Sequence, residues 1–495
     1  MQSETLRKAR EYESRRRPEA GPLLPVYHAT GGIGWINDPN GFSLYGGRAH
    51  LFFQYYPYEC HWGPMHWGHA VTEDFVRWQF LPAALAPDTE ADRDGCFSGS
   101  AAALPDGRQL LLYTGVRKET RPDGGVDERQ TQCVAAGDGL DYEKHPANPV
   151  IDGALLPPGS STRDFRDPKL WREGEGFAAV VANLDGDGLG RILRYRSEDG
   201  FAWRYDGVLA QNDGSLGGMW ECPDFFTLDG KAVLIHSAHD METRDPEFHP
   251  GDGTVCHVGR LDDSGRLDDD WIQTLDFGLD FYAPQTLETA DGRRVLIAWM
   301  QNWAAAGYPP QGLPFFGQMT LPRELFFRGG RLCQRPVREL ERYRRNVVRC
   351  AGAEVGPEER SLPGIEGRCL DLSLRIRPGE GGYERFRLRL AMDERHYTEL
   401  CLLPREGKLR LDRVHSGVNA DVNHVRELPV DFPAEGLRLR LLLDRWSLEL
   451  FVGDGEQTAA MTLYTPLTAR GIGFSAEGRA LVDAEQFEIA VEEQA

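Results

Sequence analysis

The 495-residue sequence is poor in paired cysteine: nine are scattered at positions 60, 96, 133, 222, 256, 333, 350, 369 and 401, an odd number with no Cys-x-x-Cys. That argues against a disulfide framework or a structural zinc site and fits reduced thiols in a cytosol. The first residues lack the roughly 7–15 apolar residues of a secretion signal, and nowhere is there the run of ~18 that spans a bilayer. The expectation is a cytoplasmic protein with no membrane partner. Positive charge is also short. Lys and Arg total 56 against 77 Asp and Glu, a formal net charge of −21, which disfavours nucleic acid and anionic lipid. A small molecule is the expected partner, and nothing points to a particular oligomeric state. The Arg-rich opening from Arg7 to Arg17 is interleaved with Glu11 and Glu13. It reads as a solvated amphipathic helix within an N-terminal segment, residues 1–24.

What is abundant is apolar and aromatic surface. Hydrophobic residues make up 41% and aromatics 10%, with 11 Trp and 16 Tyr, enough for two folded domains. Short β-branched and aromatic runs begin at His50, Leu110, Phe177, Lys231 and Arg294, a spacing of about 60 residues. Bounded by Gly, Asp and Pro, they read as buried strands. A second periodic feature, an Asp four residues before an aromatic, falls at Asp74/Trp78, Asp138/Tyr142 and Asp199/Trp203. Five such units imply a five-bladed β propeller over residues 25–335, although periods this loose also arise in other all-β folds. The segment after Pro336, at 336–355, has helical spacing and is expected to be a linker helix. Beyond it, residues 385–392 and 437–455 alternate apolar and polar, the second run closing in Gly453-Asp454-Gly455. Residues 356–495 are therefore expected to form a β sandwich, making the fold class all-β.

Three segments set an acidic residue in rigid surroundings. Asp38, in Trp35-Ile36-Asn37-Asp38-Pro39-Asn40-Gly41, precedes a proline and has Asn37 and Asn40 as polar neighbours, an arrangement that also suits a plain Asx turn. Asp167 follows Arg166 in Asp164-Phe165-Arg166-Asp167-Pro168, where the guanidinium can keep a carboxylate ionised or form a simple turn ion pair. Glu221 lies between Trp220 and Cys222 in a Gly-rich approach. If it is not an ordinary strand-end residue, desolvation there would raise its pKa as a general acid requires.

Together, Trp-Ile-Asn-Asp-Pro-Asn-Gly, Phe-Arg-Asp-Pro and Trp-Glu-Cys-Pro closely resemble the motifs of glycoside hydrolase family 32, the β-fructofuranosidases. The resemblance continues through His50–Tyr55, His61–His69, Cys96–Ser100, Phe281–Gln285, Trp299-Met300 and Asp444–Phe451. It implies a five-bladed propeller followed by a β sandwich. It implies that Asp38 is the nucleophile, that Glu221 is the acid/base, and that Asp167 stabilises the transition state with Arg166 orienting it. A retaining pair of this kind sits roughly 5 Å apart, and repulsion within the cluster should raise Glu221 while Asp38 stays charged. Asn37, Gln54, Ser98 and Arg166 would make polar contacts to a fructosyl unit. Trp62, Phe97, Tyr282 and Trp299 would form the walls, Phe97 and Tyr282 being open to a packing role instead. Cys222 would shape the pocket rather than react. No cofactor or metal is implied: His61, His66 and His69 match no common ligand spacing.

The activity implied is hydrolysis of terminal β-D-fructofuranosyl bonds in sucrose or sucrose 6-phosphate. An exo-acting hydrolase of inulin or levan oligosaccharides and a fructosyltransferase share the same intermediate. A related arabinan-hydrolysing propeller is disfavoured by the complete motifs. A non-catalytic sugar-binding propeller would be expected to have lost at least one of the three carboxylates.

Overall fold

The computed structural model describes residues 2–242, 246–418 and 422–491. The ends of the expected first and last segments, residues 1 and 492–495, lie outside these. Among the described residues, five four-stranded antiparallel blades form a propeller, and Phe315–Phe316 adds in parallel to the innermost strand of the first. Their innermost strands are Gly34–Tyr45, Gly95–Ala103, Phe165–Glu173, Trp220–Leu228 and Tyr282–Glu288, for blades I to V. All five periodic apolar runs are second strands: Arg48–Tyr56, Gln109–Thr120, Gly176–Leu184, Lys231–Met241 and Arg294–Trp299. Lying between two neighbours in the sheet and covered on both faces, they need no polar side and read as continuous hydrophobic sequence.

The Asp of each Asp/aromatic pair caps a turn into the outer strand. Asp74 accepts from the Val76 and Arg77 N–H groups, Asp138 from Leu140 and Asp141, and Asp199 from Phe201 and Ala202. These are side-chain mimics of a backbone turn.

A bulge interrupts each innermost strand at the propeller axis. In blades III, IV and V it falls at Asp167-Pro168, Cys222-Pro223 and Ala283-Pro284, where the residue before proline has φ of 63°, 49° and 51°. Proline cannot donate to a ladder and is tolerated at a bulge. A non-glycine residue in the left-handed region costs on the order of 1–3 kcal/mol, the kind of strain found where side chains are re-aimed for function. Here the Asp167 N–H donates to Thr114 Oγ1, that of Cys222 to Asp167 Oδ2, and that of Ala283 to Ser237 Oγ.

The expected linker helix is absent. Arg338–Tyr343 forms a short 3-10 turn, and Arg344–Val355 is a strand antiparallel to Gly471–Ile489. Helix propensity is a weak prior that tertiary pairing overrides. Here the strand gains a ladder and ion pairs, Arg344 with Asp371 and Arg349 with Glu485. The long strands Leu370–Met392 and Gly471–Ile489 pair along their lengths and shift register at Pro378/Tyr383. One half carries strands 437–444, 447–452 and 457–462, and the other carries 398–403, 408–412 and 425–429. The folded sheet closes as a sandwich over a Leu-rich core that includes Leu372, Leu388, Leu441 and Leu450.

The N-terminal helix, Glu4–Arg16, is docked rather than solvated all round. Leu6, Ala9 and Glu13 are buried, and Glu13 accepts from the Ala83 N–H of blade I and from Arg17. Among the described residues no helix is long and apolar enough to cross a membrane.

Candidate active site

The bulges turn side chains from four blades into one cavity of about 330 Å³, within the ~300–1,000 Å³ of small-ligand sites. Its lining includes Asn37, Asp38 and Gln54 from blade I, Phe97 and Ser98 from blade II, Arg166 and Asp167 from blade III, and Glu221 from blade IV. Trp62, in the loop after the second strand of blade I, stands 43% exposed at the mouth with its ring edge-on to Phe97.

Asp38 is held at both oxygens. Asn37 Nδ2 donates to Oδ1 at 3.1 Å, Ser98 Oγ to Oδ2 at 2.6 Å, and the Cys222 thiol approaches Oδ2 at 3.5 Å. Asn37 is itself fixed, its Oδ1 accepting from Trp35 Nε1 at 2.7 Å. Burial raises the Asp38 pKa, the Ser98 hydrogen bond opposes that, and the Glu221 charge adds to it. Burial also keeps Cys222 a neutral thiol.

Glu221 has three donors from three blades. Arg166 Nε reaches Oε1 at 2.8 Å, while His239 Nε2 and Tyr282 Oη reach Oε2 at 2.6 and 2.8 Å. Burial alone would raise its pKa, but the guanidinium, then His239 and Tyr282, outweigh burial and hold it well below the usual carboxylate range. The sequence-based expectation for Glu221 is thus reversed, because it considered only the flanking indole and thiol. Trp220 in fact turns away and stacks on His236. Asp167 carries the raised value instead, pushed up to about 7 by burial and the Glu221 charge against the pull of Arg166. Arg166 lies 4.0 Å from Asp167 and 2.8 Å from Glu221, so its main partner is the latter.

Two of the expected wall residues sit elsewhere. Trp299 is fully buried between Trp35 and Trp303, and Tyr282 is 1% exposed, its hydroxyl spent on Glu221. Trp303, in the turn after Trp299, lines the cavity in its place. Glu128, Gln130, Arg163 and Asp164 complete the wall. His61, His66 and His69 diverge: His61 is exposed, His66 bonds the Pro64 carbonyl, and His69 meets His50. Among the described residues no group of His, Cys, Asp and Glu is disposed to hold a metal.

A propeller that brings three hydrogen-bonded carboxylates, Asp38, Asp167 and Glu221, to a single sugar-sized cavity is the architecture of a glycoside hydrolase. A model of the glycosyl hydrolases family 32 N-terminal domain matches residues 28–336, and one of the family's C-terminal domain matches 339–491. The chain belongs to glycosyl hydrolases family 32. It is 36% identical over 477 residues to a raffinose invertase of Escherichia coli, covering 92% of this chain and 93% of that protein. A sucrose-6-phosphate hydrolase of Escherichia coli is 36% identical, covering 89% of each chain. The solved structure of a Bombyx mori GH32 beta-fructofuranosidase superposes with a TM-score of 0.84 at 32% identity, covering 99% of this chain and 100% of that one.

Proposed function

We propose that the protein hydrolyses terminal β-D-fructofuranosyl bonds of sucrose or sucrose 6-phosphate with retention of configuration. Asp38 attacks the fructosyl anomeric carbon as the bond to the leaving oxygen breaks, and Glu221 gives that oxygen a proton. Water then attacks the fructosyl–Asp38 ester, Glu221 takes its proton, and Asp38 leaves as carboxylate. Asp167 stabilises the oxocarbenium-like transition state electrostatically. The observation that carries this reading is the convergence of Asp38, Asp167 and Glu221 on one cavity. Asn37, Gln54, Ser98, Trp62, Phe97 and Trp303 are proposed to contact the sugars, Arg166 and Tyr282 to hold Glu221, and Trp299 to back the wall. The sugar is the only partner invoked, with no cofactor. A cytoplasmic location is part of the proposal, supported by nine free cysteines.

One observation favours a phosphorylated leaving group: Arg163 lines the cavity and makes no ion pair among the described residues. Glu128 and Asp164 beside it oppose a dianion. Steady-state kinetics on sucrose, sucrose 6-phosphate and a short inulin oligosaccharide, with Asp38→Asn and Glu221→Gln as controls, test the reading. A tenfold preference in kcat/KM for the phosphorylated sugar corresponds to about 1.4 kcal/mol of transition-state binding. Fructose release from none of the three would overturn the activity; transfer products at high sucrose would make the enzyme a transferase.

A further inference from the structure

Glu221 must carry a proton to assist a leaving group, yet its three hydrogen-bond partners, Arg166, His239 and Tyr282, are all donors. Arg166 is permanently charged. Tyr282 is a neutral phenol whose deprotonation burial opposes strongly. His239 is the one donor of the three whose charge can change in the working range of an enzyme.

Its placement is specific. His239 lies near the end of the second strand of blade IV and Asp252 at the start of the third, on antiparallel neighbours. Asp252 Oδ1 lies 2.9 Å from His239 Nδ1, and Glu221 Oε2 lies 2.6 Å from Nε2. A carboxylate on each ring nitrogen makes both of them donors, so the ring holds two protons. Burial would lower its pKa, but the hydrogen bonds and charges of Asp252 and Glu221 raise it to about 10. The Tyr282 ring, from blade V, packs 5.7 Å from the imidazole, and Arg166 of blade III acts on it only across Glu221.

We propose that His239, fixed by Asp252, is a positioning residue that stores the proton Glu221 passes to the leaving oxygen. The step moves one proton along an existing contact. The Nε2–H bond of His239 breaks and an O–H bond forms at Glu221 Oε2. The imidazolium becomes neutral imidazole, with its remaining proton on Nδ1 facing Asp252, and the carboxylate becomes carboxylic acid. The 2.6 Å contact serves both states, with Nε2 as donor before the transfer and as acceptor after it. A sugar entering the cavity displaces water and removes the screening that favours the ion pair, which drives the shift toward the neutral partners. When water later loses its proton to Glu221 in the second half-reaction, the proton returns to Nε2.

The inference rests on Glu221 as acid/base, so the test separates the two. His239→Gln keeps a neutral donor but cannot exchange a proton. It is expected to lower kcat on sucrose by about 100-fold, the low end of general-acid effects, with KM within about twofold. The loss should be far smaller on 4-nitrophenyl β-D-fructofuranoside, whose leaving group departs without protonation. At least one limb of the kcat/KM pH profile should move upward, because removing a cation beside Glu221 raises its proton affinity. In His239→Ala, added imidazole should restore part of the sucrose activity. Asp252→Asn, which keeps the ring in place, should shift kcat in the same direction and serves if the His239 variants do not fold. Wild-type kcat and pH limbs in a folded His239→Gln, alongside an inactive Glu221→Gln, would overturn the proton store and leave the acid/base assignment intact. Sucrose hydrolysis by Glu221→Gln would overturn both.

Discussion

Arg323, on the third strand of blade V, donates from Nε to Glu449 Oε2 of the sandwich at 2.8 Å, with both side chains fully buried. The pair is the centre of a buried charged seam between the domains. Arg323 Nη1 also reaches Asp276 at 2.8 Å, Glu449 Oε1 meets His28 Nε2 at 2.8 Å, and His28 Nδ1 meets Asp444 at 2.9 Å. Asp444 in turn caps the Val26 and Tyr27 N–H groups. The chain entering the propeller is thus tied to the tight turn Asp444–Ser447 of the sandwich. Charges this deep are a poor source of net stability, but removing one member strands the rest.

Arg323→Met should therefore destabilise the protein by about 3–5 kcal/mol, measured by chemical denaturation. The seam also predicts a pH dependence. Burial lowers the pKa of His28, but Asp444 and Glu449 raise it from 6.5 to about 9. A group whose folded pKa is raised contributes stability that is full below its unfolded value and is lost as pH rises through the folded one. The melting temperature should fall between pH 7 and 10, and a His28→Gln variant should lose that part of the slope. A slope identical to wild type in the variant would assign the dependence to other groups.

Ser98→Ala tests what holds down the proton affinity of Asp38, the proposed nucleophile. The 2.6 Å hydrogen bond to Asp38 opposes the effect of burial, and a hydrogen bond to a charged group is worth about 1.5–3 kcal/mol. Without it, Asp38 should hold its proton to higher pH. One limb of the kcat/KM profile should move up by about one pH unit or more, with a loss of kcat at the native optimum. An unshifted profile would mean that Ser98 contacts sugar without tuning Asp38.

Trp303→Ala and Trp299→Ala should part company. Trp303 lines the cavity, so its loss should raise KM for sucrose by about tenfold, ~1.4 kcal/mol, with a near-native melting curve. Trp299 is fully buried, so its truncation should cost about 3–5 kcal/mol of stability. If Trp299→Ala instead raised KM in a stable protein, the wall would reach deeper than the cavity indicates.

What could be read from the sequence followed from local chemistry. The second strands stand out because they are apolar throughout, and the Asp/aromatic pairs recur because each Asp closes the same turn. Asp38-Pro39, Asp167-Pro168 and Cys222-Pro223 are conspicuous because a proline at an axial bulge leaves a visible mark. Features set by tertiary pairing were not legible. Residues 344–355 have a helical pattern and a strand's fate, since their partner lies more than a hundred residues away at Gly471–Ile489. Trp299 and Trp303 are equivalent as sequence, and only the turn at Trp303–Ala305 decides which one faces the cavity. His239 and Asp252 meet through the pairing of strands Lys231–Met241 and Gly251–Leu261, and nothing around either residue marks it. The direction of the Glu221 shift failed for the same reason: its controlling donors come from blades III and V and from a neighbouring strand.

Gly99 offers the sharpest test of the bulge as a positioning device. A Cβ there would lie 2.1 Å from the Leu112 carbonyl oxygen, a backbone atom that cannot step aside. The glycine N–H also donates to Asn40 Oδ1, and its carbonyl accepts from Gln285 Nε2, so one residue joins blades I, II and V at the axis. Gly99→Ala must open the bulge between Phe97 and Gly99 and carry Ser98 away from Asp38. The expected outcome is a loss of kcat at least as large as that of Ser98→Ala, together with about 1–3 kcal/mol of overpacking. Gly356→Ala, where a Cβ meets nothing within 4 Å, should stay within about 0.5 kcal/mol of wild type. If both variants behaved alike, the axial bulge would be incidental to Asp38; if only Gly99→Ala is impaired, the tight bulge within blade II is what holds Ser98 in its hydrogen bond to Asp38.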